Sequence, residues 1–550
     1  MFQFLENLFG FAFNAWRNRC EKRRQNALEA AHRSRPLSVA PLAPDAVVLG
    51  HIVPLEAPRG KEAIADSGVT KEVVALSALE RRVHIHVLGR SGGGKTNLLL
   101  SALDFDIARC HTCCVVDCRG DLVERILHRL AHSETPEGLR ERLVLIDLRE
   151  TSHIVGFNPL GAENGGDPYS RAYHLMGIVR EQSDSWGVQL EETLRNCLIA
   201  LAMTGWTLLE IEPLLTDPAF RSHVMSQVSA RSVHAFFERY SALSNDKQTA
   251  WRLPVLNKIT PLTSSFPALR LMLGQRQGFS FRHLLDEQPG SIILISLAQD
   301  RLQGAAHLVG GLLLSAFETA IMARVEQPEA ARVPCYLYLD ELQNIVTQRF
   351  ESLIAEGRRL GVSCCLSHQN LGQLPPYLRQ LLRVNVGTTI CLGTGAGDAS
   401  EMEKEFLFEL PEDSKPPNVR ALLMNLPTGQ AIVARRNRPA VRIQIPHQPD
   451  PKVEAQFVQQ LRETSWAAHA RPSTELEQEM AQRETNLMPQ NEPTADVTPR
   501  SRTRKTAAPR VAKTPDAPDR NKPIYEVRHD KTANFKSDDK TSGKGKKPKP

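Results

Sequence analysis

No run of 18 apolar residues occurs anywhere in this 550-residue sequence. A helix spanning a bilayer needs about 20 such residues, so no spanning helix is expected. The nearest candidate, AAHLVGGLLLSAFETAIMA, carries His307 and Glu318 and reads as a buried core helix. No secretory leader is expected either, because no basic region precedes the first apolar residues and no small-residue cleavage site follows them. Zinc spacing is absent: CHTCC holds one C-x2-C pair, Cys110 and Cys113, and no second pair follows. The ten cysteines include adjacent pairs, Cys113–Cys114 and Cys364–Cys365, inside apolar runs. They read as core thiols in a reducing compartment. No internal repeat is visible, which excludes solenoids and propellers.

The composition that remains is globular, 41% hydrophobic and 24% charged, and the length calls for two or three domains plus tails. The net charge of +6 is unevenly placed. Residues 496–550 hold 16 Lys and Arg against 7 Asp and Glu, which leaves the rest of the chain slightly acidic. In MFQFLENLFGFAFNAW the polar or small residues Gln3, Glu6, Asn7, Gly10 and Asn14 fall on one narrow helical stripe. A basic cluster from Arg17 to Arg24 follows. Residues 1–33 therefore read as an amphipathic helix with two open uses. One is peripheral membrane contact through residues 2–24, and the other is docking on a partner protein or the chain's own core.

Residues 34–80 read as a Pro-rich linker and a small β segment. Residues 81–160 and 288–446 alternate strands with helices, the signature of a parallel α/β sheet. The strands are RVHIHVLG, TCCVVD, RLVLIDL, SIILISLA, CYLYLD, VSCCLS and VGTTICLG. Residues 161–287 read as an all-α insertion. A late pair, QAIVAR and AVRIQIP, reads as an edge hairpin. A helix is expected within 447–471, and a disordered basic tail over 472–550.

Gly89-Arg90-Ser91-Gly92-Gly93-Gly94-Lys95-Thr96 fits G-x4-G-K-[ST] between a strand and a helix. Glycines let backbone N–H groups turn onto a β-phosphate at a helix N-terminus. Lys95 is placed to reach the β- and γ-phosphates, and Thr96 to hold Mg²⁺. CYLYLDE supplies the second half. Asp340 is the candidate for indirect Mg²⁺ binding, and Glu341 for polarising the attacking water. VSCCLSHQN ends in Gln369, a polar residue at a strand end placed to report the γ-phosphate; the plain alternative is an ordinary loop residue. Three related chemistries drop out. LNKIT has Thr260 where a guanine-reading Asp would stand, no L-S-G-G-Q occurs, and Glu341 beside Asp340 favours hydrolysis over transfer to a metabolite.

The stretches LYLDELQNI, LIAEGRRLGVSCCLSHQNLGQL, VNVGTTICLGTGAGDASEMEKEF, VVDCRGDL and GSIILISLAQDRLQG resemble ring-forming DNA-pump ATPases of the FtsK/HerA superfamily. The likeness is greatest to coupling proteins of conjugative type IV secretion systems, of the TraG/TraD type, over about residues 81–445. The resemblance implies a RecA-like P-loop ATPase with an all-α insertion, ATP and Mg²⁺ as cofactors, and a homo-hexameric ring around DNA. It also implies an arginine finger from the neighbouring subunit, for which Arg358 and Arg359 are the candidates, with a solvated basic helix end as the plain alternative. Asp117 and Asp121 match a family run in which Cys118 and Arg119 depart from the usual Pro and Lys, and their role stays open.

The expectation is a Mg²⁺-dependent, DNA-translocating ATPase. It would feed single- or double-stranded DNA to a type IV secretion channel, with relaxosome proteins as partners, in the cytoplasm at the inner face of a bacterial cell membrane. The alternatives are a secretion ATPase or nucleotide-gated adaptor acting on protein, and a DNA-processing ATPase of a repair or defence system. The basic tail, with only Tyr525 and Phe535 as aromatics, reads as a phosphate-neutralising arm, a docking arm or a solubilising tail.

Overall fold

The structure, a computed structural model, describes residues 46–55, 72–347, 350–409 and 416–487. The N-terminal amphipathic segment and the tail beyond Leu487 lie outside them.

Eleven strands form one mixed sheet in the order β2-β1-β12-β11-β10-β3-β9-β8-β4-β7-β5. In chain order these are β1 (Val47–Ile52), β2 (Val73–Leu76), β3 (Ile85–Leu88), β4 (Thr112–Asp117), β5 (Leu143–Asp147), β7 (Ile292–Ser296), β8 (Cys335–Asp340), β9 (Val362–His368), β10 (Thr388–Cys391), β11 (Gln430–Arg435) and β12 (Arg438–Gln444). From β10 to β5 all seven strands run parallel. Their side chains are buried on both faces, which is why they read as unbroken apolar runs. The parallel α/β sheet expected from the alternation is present, in the RecA-like arrangement that the resemblance implies.

Successive residues of each strand feed opposite cores. Cys114, Val116, Leu337 and Leu339 join one core with the helical insertion. Cys113, Val115, Tyr336 and Tyr338 join the other, beneath the helices Lys95–Ala108, Asp121–Ala131 and Ala455–His469. The nine described cysteines form no disulfide; eight are buried and Cys110 is exposed. Burial pushes the strand thiols well above their ordinary value, as core thiols require. The apolar helix Gly304–Ala323 is mostly buried in the first core. Among the described residues it alone is long and apolar enough to cross a membrane.

The insertion is built from Pro168–Glu181, Val188–Thr204, Ile211–Thr216, Pro218–Met225, Arg231–Ser241, Asn245–Thr263 and Pro267–Leu273. Two of its helices begin with an Asp cap followed by Pro. Asp167 accepts from the N–H groups of Tyr169 and Ser170, and Asp217 accepts from Ala219. Each such cap contributes about 1 kcal/mol.

Two expectations are corrected. The hairpin β11–β12 does not lie at an edge, because β12 pairs antiparallel with β1 and β1 with β2, so Val47–Ile52 and Val73–Leu76 form the border. Disorder does not begin at Pro472. Ala470–Pro472 forms β13 against β6 (His153–Val155), and Ser473–Leu487 is a helix. Only Leu476 and Met480 of that helix enter the core. One helical turn apart, they suffice when Arg483 also donates to Glu210 (3.1 Å) and to the carbonyl of Gly274 (2.9 Å).

Candidate active site

β3 delivers the glycine loop at the carboxyl end of the parallel strands, and β9 lies between it and β8, the strand carrying Asp340. Gly94 caps the following helix with φ +111°, a conformation that side chains disfavour. A Cβ on Gly89 would stand 2.7 Å from that of Leu392, so the loop leaves β3 only without a side chain. The loop is also braced from the hairpin side, where Gly429 N–H donates to the carbonyl of Gly93 (3.0 Å).

The loop, β4, β8 and β9 enclose a cavity of about 290 Å³ lined by Ser91, Gly92, Gly94, Lys95, Thr96, Asp340, Glu341 and Gln369. The sequence-derived residues from three separate segments are thus brought together. Lys95 donates to the carbonyl of Gly89 at 2.7 Å. Burial lowers its pKa, opposed by the charges of Glu341 and Asp340.

Asp340 stands in register with Asp117 on the neighbouring strand. Burial first, then the charges of Asp117 and Glu341, push its pKa up to about 6. Its Oδ1 is buried without a hydrogen-bond partner. Asp117 is otherwise engaged. Oδ1 accepts from Arg119 N–H (2.9 Å), and Oδ2 accepts from Leu122 (2.7 Å) and Val123 (3.2 Å). It therefore holds the turn into the helix Asp121–Ala131, a structural task that the sequence left open. Gly120 in that turn has φ +90°.

Glu341 is buried and left-handed, φ +56°. Both its oxygens are held by amides: Oε1 by Gln369, and Oε2 by Gln343 at 2.9 Å. Behind Gln369, the rings of His368 and His86 stack, with Nε2 to Nε2 at 2.7 Å. His368 Nδ1 faces the carbonyl of Asn370 at 3.2 Å and so carries the proton. His86 Nε2–H must then donate to His368 Nε2. Burial lowers both pKa values, that of His368 to about 4, so the pair is neutral at pH 7.

Arg358 and Arg359 are not brought here. Both are exposed in the turn before β9, while Gln369 follows its far end. Seven strand residues at about 3.3 Å each separate them from the site by roughly 20 Å. Arg359 pairs with Glu356 at 2.9 Å. Sequence reasoning missed Asn97, Arg119 and Thr428 in the cavity wall and Gln343 behind it. Thr428 lies in a Pro-Thr-Gly turn that reads only as loop punctuation.

Among the described residues no group of three or more His, Cys, Asp and Glu is arranged to hold a metal ion by itself. The hydroxyl of Thr96 and the unpartnered Oδ1 of Asp340 are hard oxygen donors beside a phosphate-sized loop. They fit a cation that keeps water and phosphate ligands, as Mg²⁺ does.

Residues 215–395 match the family model described as the type IV secretion-system coupling protein DNA-binding domain. That span includes Asp340, Glu341 and Gln369 but begins after the glycine loop. The fold is similar to the bacterial conjugative coupling protein TrwBdeltaN70 in its trigonal form with sulphate. Identity is 18%, TM-score 0.51, over 76% of this chain and 99% of that one. TrwB in complex with ADP and Mg²⁺ matches at 18% identity and TM-score 0.48, over 68% and 87%. VirB4 of Thermoanaerobacter pseudethanolicus matches at 13% and 0.49, over 74% and 98%. No curated protein matches the chain. Both comparisons point the same way: residues 215–395 are similar in sequence to a coupling-protein domain, and the fold is similar to that of a conjugative coupling protein.

Proposed function

We propose that the chain is a Mg²⁺-dependent ATPase that drives DNA into a type IV secretion or conjugation channel, working as a homo-hexameric ring. The observation that carries the reading is the convergence of Lys95 and Thr96 with Asp340, Glu341 and Gln369 in one cavity at the strand ends. A phosphate cradle facing a carboxylate pair and an amide is built for hydrolysis of a nucleoside triphosphate. The DNA-binding description of the family model over residues 215–395 supports DNA as the cargo.

In this reading Ser91 to Thr96 wrap the phosphates with backbone N–H groups, and Lys95 turns from Gly89 onto the β- and γ-oxygens. Thr96 and Asp340 would hold Mg²⁺, which supplies charge neutralisation of the phosphates. Glu341 takes the proton of the attacking water, and Gln369 touches the γ-phosphate. Arg358 and Arg359, remote from their own cavity and exposed, are proposed to act on the neighbouring subunit's site. The inner face of the bacterial membrane is the proposed location, with relaxosome proteins as partners.

The test is steady-state ATP hydrolysis with no DNA, single-stranded DNA and duplex, across a range of salt, with Glu341→Gln as control. Several-fold stimulation that fades as salt rises supports the reading, because phosphate contacts are salt-sensitive. A rate indifferent to DNA would overturn it in favour of a protein-directed ATPase.

A further inference from the structure

Glu341 is held more tightly than a free general base needs to be. Gln369 and Gln343 together occupy both carboxylate oxygens. Each oxygen keeps one lone pair beyond the one its amide takes, so the two donors restrict the directions from which a proton can be accepted, and departure of one amide opens that oxygen fully to water. The two amides are not equivalent. Gln369 lines the cavity beside Lys95 and Thr96, within reach of a phosphate, whereas Gln343 does not line it.

Gln343 sits in the single 3₁₀ turn Leu342–Asn344 that follows Glu341. That turn is fixed from several directions. Asn344 N–H donates to the carbonyl of Glu341 (2.9 Å). The side-chain amide of Asn344 donates to Gln299 Oε1 (3.2 Å), and Cys118 Sγ approaches the Glu341 carbonyl (3.8 Å). Left-handed backbone is unfavourable for a residue with a side chain, and at Glu341 it persists because its surroundings determine it.

We propose that Gln343 is a positioning residue for hydrolysis. Its amide holds Oε2 of Glu341 throughout the cycle, while Gln369 exchanges Oε1 for the γ-phosphate and so releases Oε1 as the base. As the water oxygen bonds to the γ-phosphorus, the water proton passes to Oε1. The bond from that phosphorus to the bridging oxygen breaks, and its electron pair stays on the β-phosphate. Gln343 touches neither water nor phosphate; it keeps Oε1 aimed. This inference rests on the ATPase reading above.

The experiment is the kcat and KM for ATP, with ATP binding measured separately, for wild type, Gln343→Met and Gln343→Ala. Methionine keeps the length without an N–H donor. The expected result is a fall in kcat of about tenfold or more in both variants, with KM and ATP binding within twofold, since loss of aim at the reacting centre is costly. A kcat within twofold of wild type overturns the inference. So does a fall in kcat accompanied by an equal loss of ATP binding, which would mark a structural role only. If wild type neither binds nor hydrolyses ATP, the ATPase reading itself fails, an outcome distinct from these.

Discussion

Asp340→Asn tests whether the site holds charge at the expense of stability. The carboxyl is buried beside Asp117 and Glu341 and its pKa is pushed up to about 6, against an ordinary 3.8. A shift of about two pH units corresponds to roughly 3 kcal/mol. The folded state binds the proton more tightly than the unfolded chain. That stabilisation is therefore complete below about pH 3.8 and is lost as pH rises through about 6. Above pH 6, ionised Asp340 costs the fold about 3 kcal/mol, and the neutral amide avoids this cost. Thermal unfolding of both proteins without nucleotide or metal, from pH 4 to 8, is the assay. The variant melts higher than wild type above pH 6, and the difference shrinks toward pH 4. Its ATPase is lost, the exchange of stability for function that a strained site implies. A variant less stable at pH 7.5, or a difference independent of pH, would refute the reasoning.

The other predictions come from elsewhere in the same core. Arg81 pairs with Asp106 at 2.6 Å, both buried, and Tyr338 also donates to Asp106. Asp106→Ala leaves an uncompensated buried guanidinium and destabilises by about 3–5 kcal/mol in denaturant unfolding. The pKa of Asp106 is held low by Arg81 and His111 despite its burial. Its contribution is thus present at neutral pH and fades as pH falls below the ordinary 3.8, so the variant loses less stability than wild type on acidification. Gly89→Ala pushes a methyl into Leu392 and abolishes nucleotide binding, read by a fluorescent ATP analogue. Arg358→Ala with Arg359→Ala leaves nucleotide binding intact and lowers kcat by about 10³-fold if either acts in trans. Mixing that variant with Glu341→Gln in one ring restores part of the activity.

Much of this was legible in the sequence. β4, β7, β8 and β9 are buried on both faces and so announce themselves as unbroken apolar runs. The glycine loop and the Asp340–Glu341 pair are local signals, each set by chemistry within a few residues. What stayed hidden depends on long-range pairing. Gly429 meets Gly93 only because β11 pairs with β10 beside β3. The border made by β1 and β2 has no local mark that distinguishes it from a linker. The helix Ser473–Leu487 is mostly polar and turns only Leu476 and Met480 inward, and its order comes also from Arg483 pairing with Glu210 of the insertion and Arg270 of the insertion pairing with Glu484. Gln343 reads as an ordinary turn residue until the fold aims its amide at Glu341.

The most direct test of the account is displacement of a third strand from a DNA triplex by the assembled protein, supplied with ATP and Mg²⁺. Displacement that needs hydrolysable ATP and disappears with Glu341→Gln is the predicted result. Hydrolysis of ATP without displacement from any DNA form, or displacement that survives Glu341→Gln, would contradict it.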